Sequence, residues 1–366
     1  MPNSSKPVFT GLTDYALSFS PTSGTSIRII SHLNLSRTLI PINPISRYSV
    51  FNLINFALMY IVFGIYYRVQ FETNESEVTF MITGTTKNLG VIGWPIVHSL
   101  SPAMQNAAIA SAGLDAVYIA MPVAPEALKD AVRGLRASGF VGWNVTIPHK
   151  TAIMEFLDEI DEDARAIGAV NTVVSKDGKF KGYNTDILGF CDGLHEKNVS
   201  VKGKSAVVLG AGGAARAILR GLIKEEVSDI TIAVRSPEKA LPLAKEIEEY
   251  IPCHVVEWTS KEMNKALSSA ALAVNTTPLG MAPKTDDMPP LDWDALAPSA
   301  FVYDIIYTPG ETKLLREARL HGHDTQNGVP MLVGQGAAAL SMWLDTEPDR
   351  SAMRTALEAA LQAKNR

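Results

Sequence analysis

KSAVVLGAGGAARA (residues 204–217) is the stretch of the sequence that decides the fold. Its first six residues form a short apolar run typical of a buried strand. A glycine-rich loop follows at once, formed by Gly210, Ala211, Gly212, Gly213 and Ala214. Glycines let the backbone turn sharply and approach a pyrophosphate, and a helix beginning after them offers free N–H groups to that anion. A GxGG loop alone also occurs in ordinary turns. Here it lies between a strand and a helix, and a second apolar run follows at 229–234, so the stretch predicts a dinucleotide-binding site.

The end of the second run indicates which dinucleotide is bound. An NAD site usually carries Asp or Glu there, which accepts a hydrogen bond from the ribose 2′-hydroxyl. This sequence instead has Arg235, Ser236 and Lys239, whose groups suit a 2′-phosphate, so NADP (NADPH) is the predicted cofactor. The alternative is a solvated helix start in which Arg235 is an ordinary surface charge. Thr276, in NTTPLGM (275–281), is predicted to line the nicotinamide or ribose side, although the segment alone is also a polar turn.

Apolar strand-like runs alternate with amphipathic helical stretches from residue 81 onward. This pattern is typical of an α/β protein with a largely parallel sheet. The runs lie at residues 89–93, 116–123, 139–146, 169–174, 205–210, 229–234, 272–277 and 301–306.

We predict a two-domain α/β fold. An N-terminal α/β substrate-binding domain would contain residues 81–185 plus 328–366, and a Rossmann-like NADP-binding domain would contain residues 186–327. The tail forms two helical segments broken around Glu347 and Pro348, and these are predicted to pack back on the first domain. The active site would then lie in the cleft between the domains.

Polar residues cluster at the ends of the runs in the first domain. Ser99 and Ser101 lie at a turn just before a helix, where both hydroxyls could face an anion; alternatively, one of them caps the helix. Lys150 closes the third run, at the sheet edge where α/β proteins bind ligands. Asn171 ends the run GAVNT, and Asp186 opens the next helix, where it could also be a helix cap.

From about residue 88 to the C-terminus the chain resembles the shikimate dehydrogenase family. The motifs that carry the resemblance occur in the family's order: GWPIVHSLSP, NVTIPHK, GAVNT, NTD, GAGGAARA, NTTPLGM, YDIIYTPGET and NGVPMLVGQG. The resemblance implies reversible NADPH-dependent reduction of 3-dehydroshikimate to shikimate. One departure is Val234, at a position where many members have Asn.

The resemblance also implies a role for each site residue. Lys150 and Asp186 would form the catalytic pair, and Ser99 and Ser101 would hold the substrate carboxylate. The remaining substrate-binding residues would be Thr146, Asn171, Tyr307 and Gln335. Gly328 and the backbone near Ile305 would flank the nicotinamide.

Composition excludes several classes of protein. The net charge is -5 and no strongly basic block occurs, so nothing indicates nucleic-acid binding. The two cysteines lack metal-site spacing, so no metal is predicted. We expect a cytoplasmic monomer or homodimer that acts on a small molecule. Two alternatives stay open: a quinate/shikimate dehydrogenase with relaxed substrate or cofactor choice, and an inactive paralogue that only binds shikimate-like ligands.

Residues 1–80 differ from the rest and carry none of these motifs. Residues 50–67 (VFNLINFALMYIVFGIYY) are apolar enough to be a candidate membrane helix of about minimum length. Three interpretations are open: an upstream extension joined to a true start at Met81, a poorly ordered leader, or a membrane anchor. The first is favoured, because Met81 leads directly into the first strand pattern and because an anchor would place the NADPH-dependent domain outside the cell.

Overall fold

The computed structural model describes residues 25–28, 70–73 and 82–364, and the chain divides into two units between residues 81 and 82. In the first unit, strands β1 (Thr25–Arg28) and β2 (Gln70–Thr73) pair antiparallel. The apolar stretch 50–67 lies outside the described residues. Among the helices that the structure describes, none is long and apolar enough to cross a bilayer.

The second unit begins with a six-stranded mixed sheet. Its strands are β3 (Lys87–Gly93), β4 (Ala116–Pro122), β5 (Gly142–Val145), β6 (Glu159–Ile160), β7 (Thr172–Lys176) and β8 (Lys179–Tyr183). Their order across the sheet is β4-β3-β5-β7-β8-β6. Strands β4, β3 and β5 run parallel, whereas β7 is antiparallel to both β5 and β8. The helices of this part are α1 (Ser101–Ser111), α2 (Leu128–Ala137) and α3 (Glu162–Ile167).

A second six-stranded sheet follows, and it is parallel throughout. Its strands are β9 (Ser205–Leu209), β10 (Asp229–Val234), β11 (Cys253–Glu257), β12 (Ala270–Asn275), β13 (Phe301–Asp304) and β14 (Thr325–Gln326). Its helices are α4 (Asp186–Glu196), α5 (Gly213–Lys224), α6 (Pro237–Glu248), α7 (Lys261–Leu267) and α8 (Lys313–Leu320). The order β11-β10-β9-β12-β13-β14 is the 3-2-1-4-5-6 order of dinucleotide-binding sheets. The chain order reverses between β9 and β12, and ligands bind at such a switch point.

Strand β9 is buried on both faces, which explains its uninterrupted apolar sequence. Val208 packs into one hydrophobic cluster with Phe190 of α4, whereas Val207 packs into another with Leu314 of α8. Parallel strands covered by helices on both sides are apolar at nearly every position rather than at alternate ones. The glycine-rich loop therefore begins at the end of a rigid, central strand.

The chain ends with two helices, α9 (Val329–Leu344) and α10 (Arg350–Lys364). They return to the first sheet, where Val333 of α9 and Met353 of α10 share a core cluster with Met104 of α1 and Leu89 of β3. The predicted fold class is confirmed, including the return of the C-terminal helices. The exact domain boundaries at 186 and 328 stay predictions.

Every strand predicted from an apolar run is present, and both sheets are rich in parallel pairs, although the first sheet also contains antiparallel ones. The reason is the hairpin β7–β8, which turns at Asp177 and Gly178 with φ of 52° and 74°. Two positive φ values are the mark of a type I′ turn, and Asp-Gly is a strong hairpin signal. Strands β6, β8, β11 and β14 were not predicted from the sequence.

Candidate active site

Lys150 and Asp186 meet in the structure. Lys150 lies beyond the end of β5 and Asp186 is the first residue of α4. The Lys150 Nζ is 2.7 Å from Asp186 Oδ2, and the two side chains are 32% and 16% exposed. The N-cap residue is Thr185, whose side chain makes no capping hydrogen bond to the helix, and the Asp186 carboxylate is directed to Lys150 and Asn171 rather than to capping. The pair is therefore partly buried and still accessible to solvent.

Asn171 joins this pair to α9. Its Nδ2 donates to Asp186 Oδ1 at 2.8 Å and to Gln335 Oε1 at 3.2 Å. Its Oδ1 accepts from the Thr185 N–H at 2.8 Å and from the Thr172 hydroxyl at 2.9 Å. Because the oxygen faces backbone and hydroxyl donors, the amino group must face the carboxylate. Four predicted residues therefore form one cluster: Lys150, Asp186, Asn171 and Gln335.

The turn before α4 holds Asp186 in place. The Asn184 Oδ1 accepts from the Asp186 N–H at 3.1 Å, and its Nδ2 donates to the Ala169 carbonyl at 3.0 Å. Asn184 is buried, so these bonds are sheltered from water. All three residues of the NTD motif (184–186) therefore help to position the Asp186 carboxylate.

The serine pair lies where α1 begins. The N-cap residue is Leu100, whose apolar side chain makes no capping hydrogen bond. The Ser99 hydroxyl accepts from the Ser101 N–H at 3.3 Å. The Ser99 hydroxyl thus takes up one N–H of the first turn from outside the N-cap position, and both serines lie beside the helix N-terminus, whose partial positive charge favours an anion.

A buried hydrogen-bonded chain extends from Tyr118, beside Ser101, to the lysine cluster. The Ser101 hydroxyl interacts with the phenol of Tyr118, which donates to Asn144 Oδ1 at 2.7 Å. Asn144 Nδ2 donates to the Thr172 hydroxyl at 3.0 Å, and that hydroxyl donates to Asn171. Burial raises the pKa of Tyr118 well above its usual value, so the phenol stays a proton donor.

Sequence reasoning missed two members of this chain, Tyr118 and Asn144. Asn144 begins the motif NVTIPHK, and its polar side chain in an apolar run was the available signal. Tyr118 gave no signal, because an aromatic residue in an apolar strand is ordinary core.

Two further predicted substrate residues stand apart. A Cβ added at Gly93 would lie 2.5 Å from the Thr146 Cγ2, so Thr146 packs against strand β3. Tyr307 lies three residues beyond β13 and is 37% exposed. Within residues 82–364, no hydrogen bond joins either side chain to the Lys150–Asp186 pair.

The glycine-rich loop has the shape that a pyrophosphate needs. Gly210 has φ of +108°, and a Cβ there would lie 2.8 Å from the Thr276 hydroxyl, so another residue would strain this turn. Gly212 and Gly213 have open space where a Cβ would point. Gly212 caps α5 with no side-chain hydrogen bond, which leaves the helix N-terminus to an incoming anion. Ala211 and Ala214 complete the exposed edge of the loop.

Thr276 connects the two strands at the switch point. Its hydroxyl donates to the Leu209 carbonyl at 2.8 Å, and the side chain is buried. The Thr276 backbone therefore lies just beyond β12, next to the glycine turn. Its hydroxyl is already engaged in the hydrogen bond to Leu209.

The groups predicted to bind the 2′-phosphate lie at the end of β10. Arg235 and Lys239 are exposed, and Ser236 caps α6 without a side-chain hydrogen bond. The three polar groups are therefore accessible on one strand-to-helix turn. This arrangement and the open loop after β9 fit an NADP molecule.

Asp304 organises the neighbouring strand ends. Its Oδ1 accepts from Asn275 Nδ2 at 3.0 Å and from the Ile306 N–H at 3.1 Å, and its Oδ2 accepts from the Thr312 hydroxyl at 2.7 Å. Asn275 Oδ1 accepts in turn from the Thr277 N–H at 2.9 Å. Burial raises the pKa of Asp304 to about 6, although these hydrogen bonds oppose the shift.

Ile305 and Gly328 come together just beyond this network. A Cβ at Gly328 would lie 2.0 Å from the Ile305 carbonyl oxygen, so the two backbones touch and only glycine fits. Gly328 also caps α9, the helix that carries Gln335. One helix therefore extends from the predicted nicotinamide side to the lysine cluster.

A dinucleotide-type parallel sheet and a lysine–aspartate pair define a two-domain, dinucleotide-dependent α/β dehydrogenase. Three family models match the chain: Shikimate dehydrogenase substrate binding domain at residues 91–173, Shikimate / quinate 5-dehydrogenase at 193–278, and Shikimate 5'-dehydrogenase C-terminal domain at 328–358.

Individual proteins agree with these models. A relative from Symbiobacterium thermophilum, named Shikimate dehydrogenase (NADP(+)), is 47% identical over 77% of this chain and 97% of its own. Shikimate 5-dehydrogenase from Listeria monocytogenes, solved with shikimate and NAD, is 36% identical with a TM-score of 0.73, over 75% of this chain and 98% of that one. Quinate dehydrogenase from Corynebacterium glutamicum, solved with NAD, is 32% identical with a TM-score of 0.69, over 75% and 99%. The chain belongs to the shikimate dehydrogenase family.

Proposed function

We propose that the chain is an NADP-dependent shikimate dehydrogenase, which reversibly reduces 3-dehydroshikimate to shikimate in the biosynthesis of chorismate and the aromatic amino acids. The observation that carries the proposal is the Lys150–Asp186 pair, held at 2.7 Å within a hydrogen-bonded cluster. The 47% identity to a relative named for this activity supports it.

The substrate would lie between the serine pair and the lysine cluster. Ser99 and Ser101 would bind its carboxylate with their hydroxyls and the nearby helix N-terminus. Thr146, Asn171 and Gln335 would face its ring hydroxyls, and Tyr307 would border it. The buried chain through Tyr118 and Asn144 would hold the two ends of the site at a fixed separation.

When bound, the dinucleotide supplies or accepts the hydride. As a ketone is reduced, negative charge develops on its oxygen, and a nearby ammonium stabilises that charge and can supply the proton. Lys150 fits this role, because Asp186 orients its ammonium while Asn171 holds the carboxylate. In the direction of shikimate oxidation, the same pair would receive the hydroxyl proton.

NADP would be bound by the loop after β9 and by the end of β10. Gly210, Gly212 and Gly213 allow a pyrophosphate to approach α5, and Arg235, Ser236 and Lys239 suit the 2′-phosphate. Ile305 and Gly328 would flank the nicotinamide. The relative named for NADP supports this choice.

The test is a comparison of kcat/KM for shikimate and quinate, each with NADP⁺ and NAD⁺. We expect shikimate with NADP⁺ to exceed every other pair by at least about tenfold, or about 1.4 kcal/mol of transition-state stabilisation. Similar values for quinate or NAD⁺ would instead assign the chain to the relaxed quinate/shikimate branch. Ligand binding without turnover would indicate the inactive paralogue.

We further propose that the enzyme works in the cytoplasm as a monomer or homodimer on a small-molecule substrate. A need for NADPH supports this location. Sedimentation of the purified chain, together with fractionation of cells that express it, tests both points.

A further inference from the structure

Trp258 is fixed to the strand end that presents Arg235. It directly follows β11, and its backbone N–H donates to the Val234 carbonyl at 2.9 Å. Its indole Nε1–H donates to the Ala233 carbonyl at 2.8 Å. Both acceptors are the last residues of β10, immediately before Arg235. The indole therefore cannot move independently of the point from which the guanidinium extends.

The indole also forms a platform for that guanidinium. Trp258 is partly buried against the core cluster that contains Leu209 and Ala233. The Arg235 Cζ lies 5.7 Å from the centre of its ring. Within residues 82–364, no carboxylate lies within 4.0 Å of Arg235. In the part of the chain that the structure describes, the indole ring is thus the partner of this cation.

A guanidinium over a tryptophan face is attracted by the negative ring quadrupole at this distance. Stacking uses the face of the guanidinium and leaves its edge N–H groups free for a phosphate. Val234 supplies no polar side chain at this strand end, so the aromatic face is the feature that can orient Arg235.

We propose that Trp258 is a positioning residue that contributes to cofactor specificity, because it holds Arg235 ready for the 2′-phosphate. The inference rests on the proposed use of NADP. It predicts that removing the aromatic face weakens recognition of the 2′-phosphate while leaving recognition of the rest of the nucleotide unchanged.

The test uses calorimetric titration of the full chain with 2′,5′-ADP and with 5′-AMP, which differ at the 2′-position. In Trp258→Leu, we expect the affinity for 2′,5′-ADP to fall by about two- to fivefold, the equivalent of a cation–π contact at an exposed site. The affinity for 5′-AMP should stay the same. Trp258→Phe keeps an aromatic face and should lose less than Trp258→Leu.

Trp293→Leu is the matched control. Trp293 is also partly buried against the same core cluster, but its ring stacks on His321 at 5.1 Å. This variant should keep wild-type affinity for both nucleotides. In a chain that already carries Arg235→Leu, adding Trp258→Leu should cause no further loss for 2′,5′-ADP, because the residue acts through the guanidinium.

The outcomes are distinct. A loss confined to 2′,5′-ADP, absent in the control and in the Arg235→Leu background, supports the proposal. Equal losses for both nucleotides, no loss, or the same loss in Trp293→Leu overturns it. Wild-type protein that binds 5′-AMP as tightly as 2′,5′-ADP would refute the use of NADP itself, and the inference with it.

Discussion

Lys150 is the residue on which the chemistry depends most. Lys150→Ala removes the ammonium beside Asp186 and should lower kcat by ~10²–10⁴, the usual contribution of an acid–base group. The affinity for NADP⁺ should stay at the wild-type value, since the Lys150 ammonium is bonded to Asp186 and not to the loop after β9. Steady-state kinetics and calorimetric titration measure the two quantities.

Lys176→Ala is the control for loss of a positive charge, because Lys176 is exposed at the end of β7. Its kinetics should match wild type. A Lys150→Ala enzyme with kcat within about threefold of wild type would show that the lysine is not the acid–base group.

Asp304 makes stability depend on pH. Its folded pKa of about 6 is above the ordinary value of 3.8, so the folded state binds more protons between these values. Stability contributed by this group is therefore present below about pH 4 and is lost as the pH rises through about 6.

Asp304→Asn removes this titration. The free energy of unfolding of the variant relative to wild type should increase from pH 4 to pH 7, by at most roughly 3 kcal/mol. Urea unfolding at several pH values measures the difference. A difference that is the same at every pH would show that Asp304 does not titrate in this range.

At the residue scale, the sequence predicted the residues that carry the chemistry better than the residues that hold them in place. Lys150, Asp186 and Asn171 follow apolar runs or open helices, and polar residues at such positions are visible in sequence. Tyr118 and Asp304 instead act through contacts between strands that are distant in the chain. Those contacts depend on the sheet order, which no local pattern specifies.

At the scale of elements, the crossing of helices α4 and α9 positions the residues of the catalytic cluster. The first helix begins with Asp186 and the second carries Gln335. A Cβ at Gly189 would lie 2.3 Å from the Met331 carbonyl oxygen and 2.8 Å from the Gln335 N. The two backbones therefore touch, and the glycine permits it.

Gly189→Ala must push these helices apart. We expect it to destabilise the protein by about 1–3 kcal/mol, as overpacking does. It should also lower kcat more than the affinity for NADP⁺, because it moves Asp186 and Gln335 but not the glycine-rich loop. Thermal unfolding and kinetics measure both effects.

Gly134→Ala is the matched control, since Gly134 is an exposed position of α2 with nothing within 4 Å of its Cβ direction. It should stabilise the protein by roughly 0.5–1 kcal/mol through higher helix propensity. Wild-type stability and kcat in Gly189→Ala would refute the close-crossing account.

Elements with a strong local pattern were predictable, and short ones were not. The buried run of β9 and the Pro-broken C-terminal helices are clear in sequence. Strands β6 and β14 have two residues each, too few for any period to appear. The β7–β8 hairpin has a sequence signal in Asp177 and Gly178, an Asp-Gly pair between two strands, and this hairpin accounts for the antiparallel pairs of the first sheet.

At the scale of the whole molecule, residues 82–366 form a compact unit. The match to the Symbiobacterium relative covers 77% of this chain and 97% of the relative. We predict that residues 81–366 alone fold and give kcat/KM within about threefold of the full chain, as an independent folding unit should. Parallel purification and kinetics of the two forms provide the comparison. An inactive or unfolded short form would assign residues 1–80 a part in the enzyme.

The most direct test of the central claim is the rate at which the purified 366-residue chain reduces NADP⁺ in the presence of shikimate. The account predicts turnover in the ordinary enzymatic range, about 1–10³ s⁻¹, that disappears when shikimate is omitted. Folded protein that binds both NADP⁺ and shikimate but produces no NADPH would contradict it.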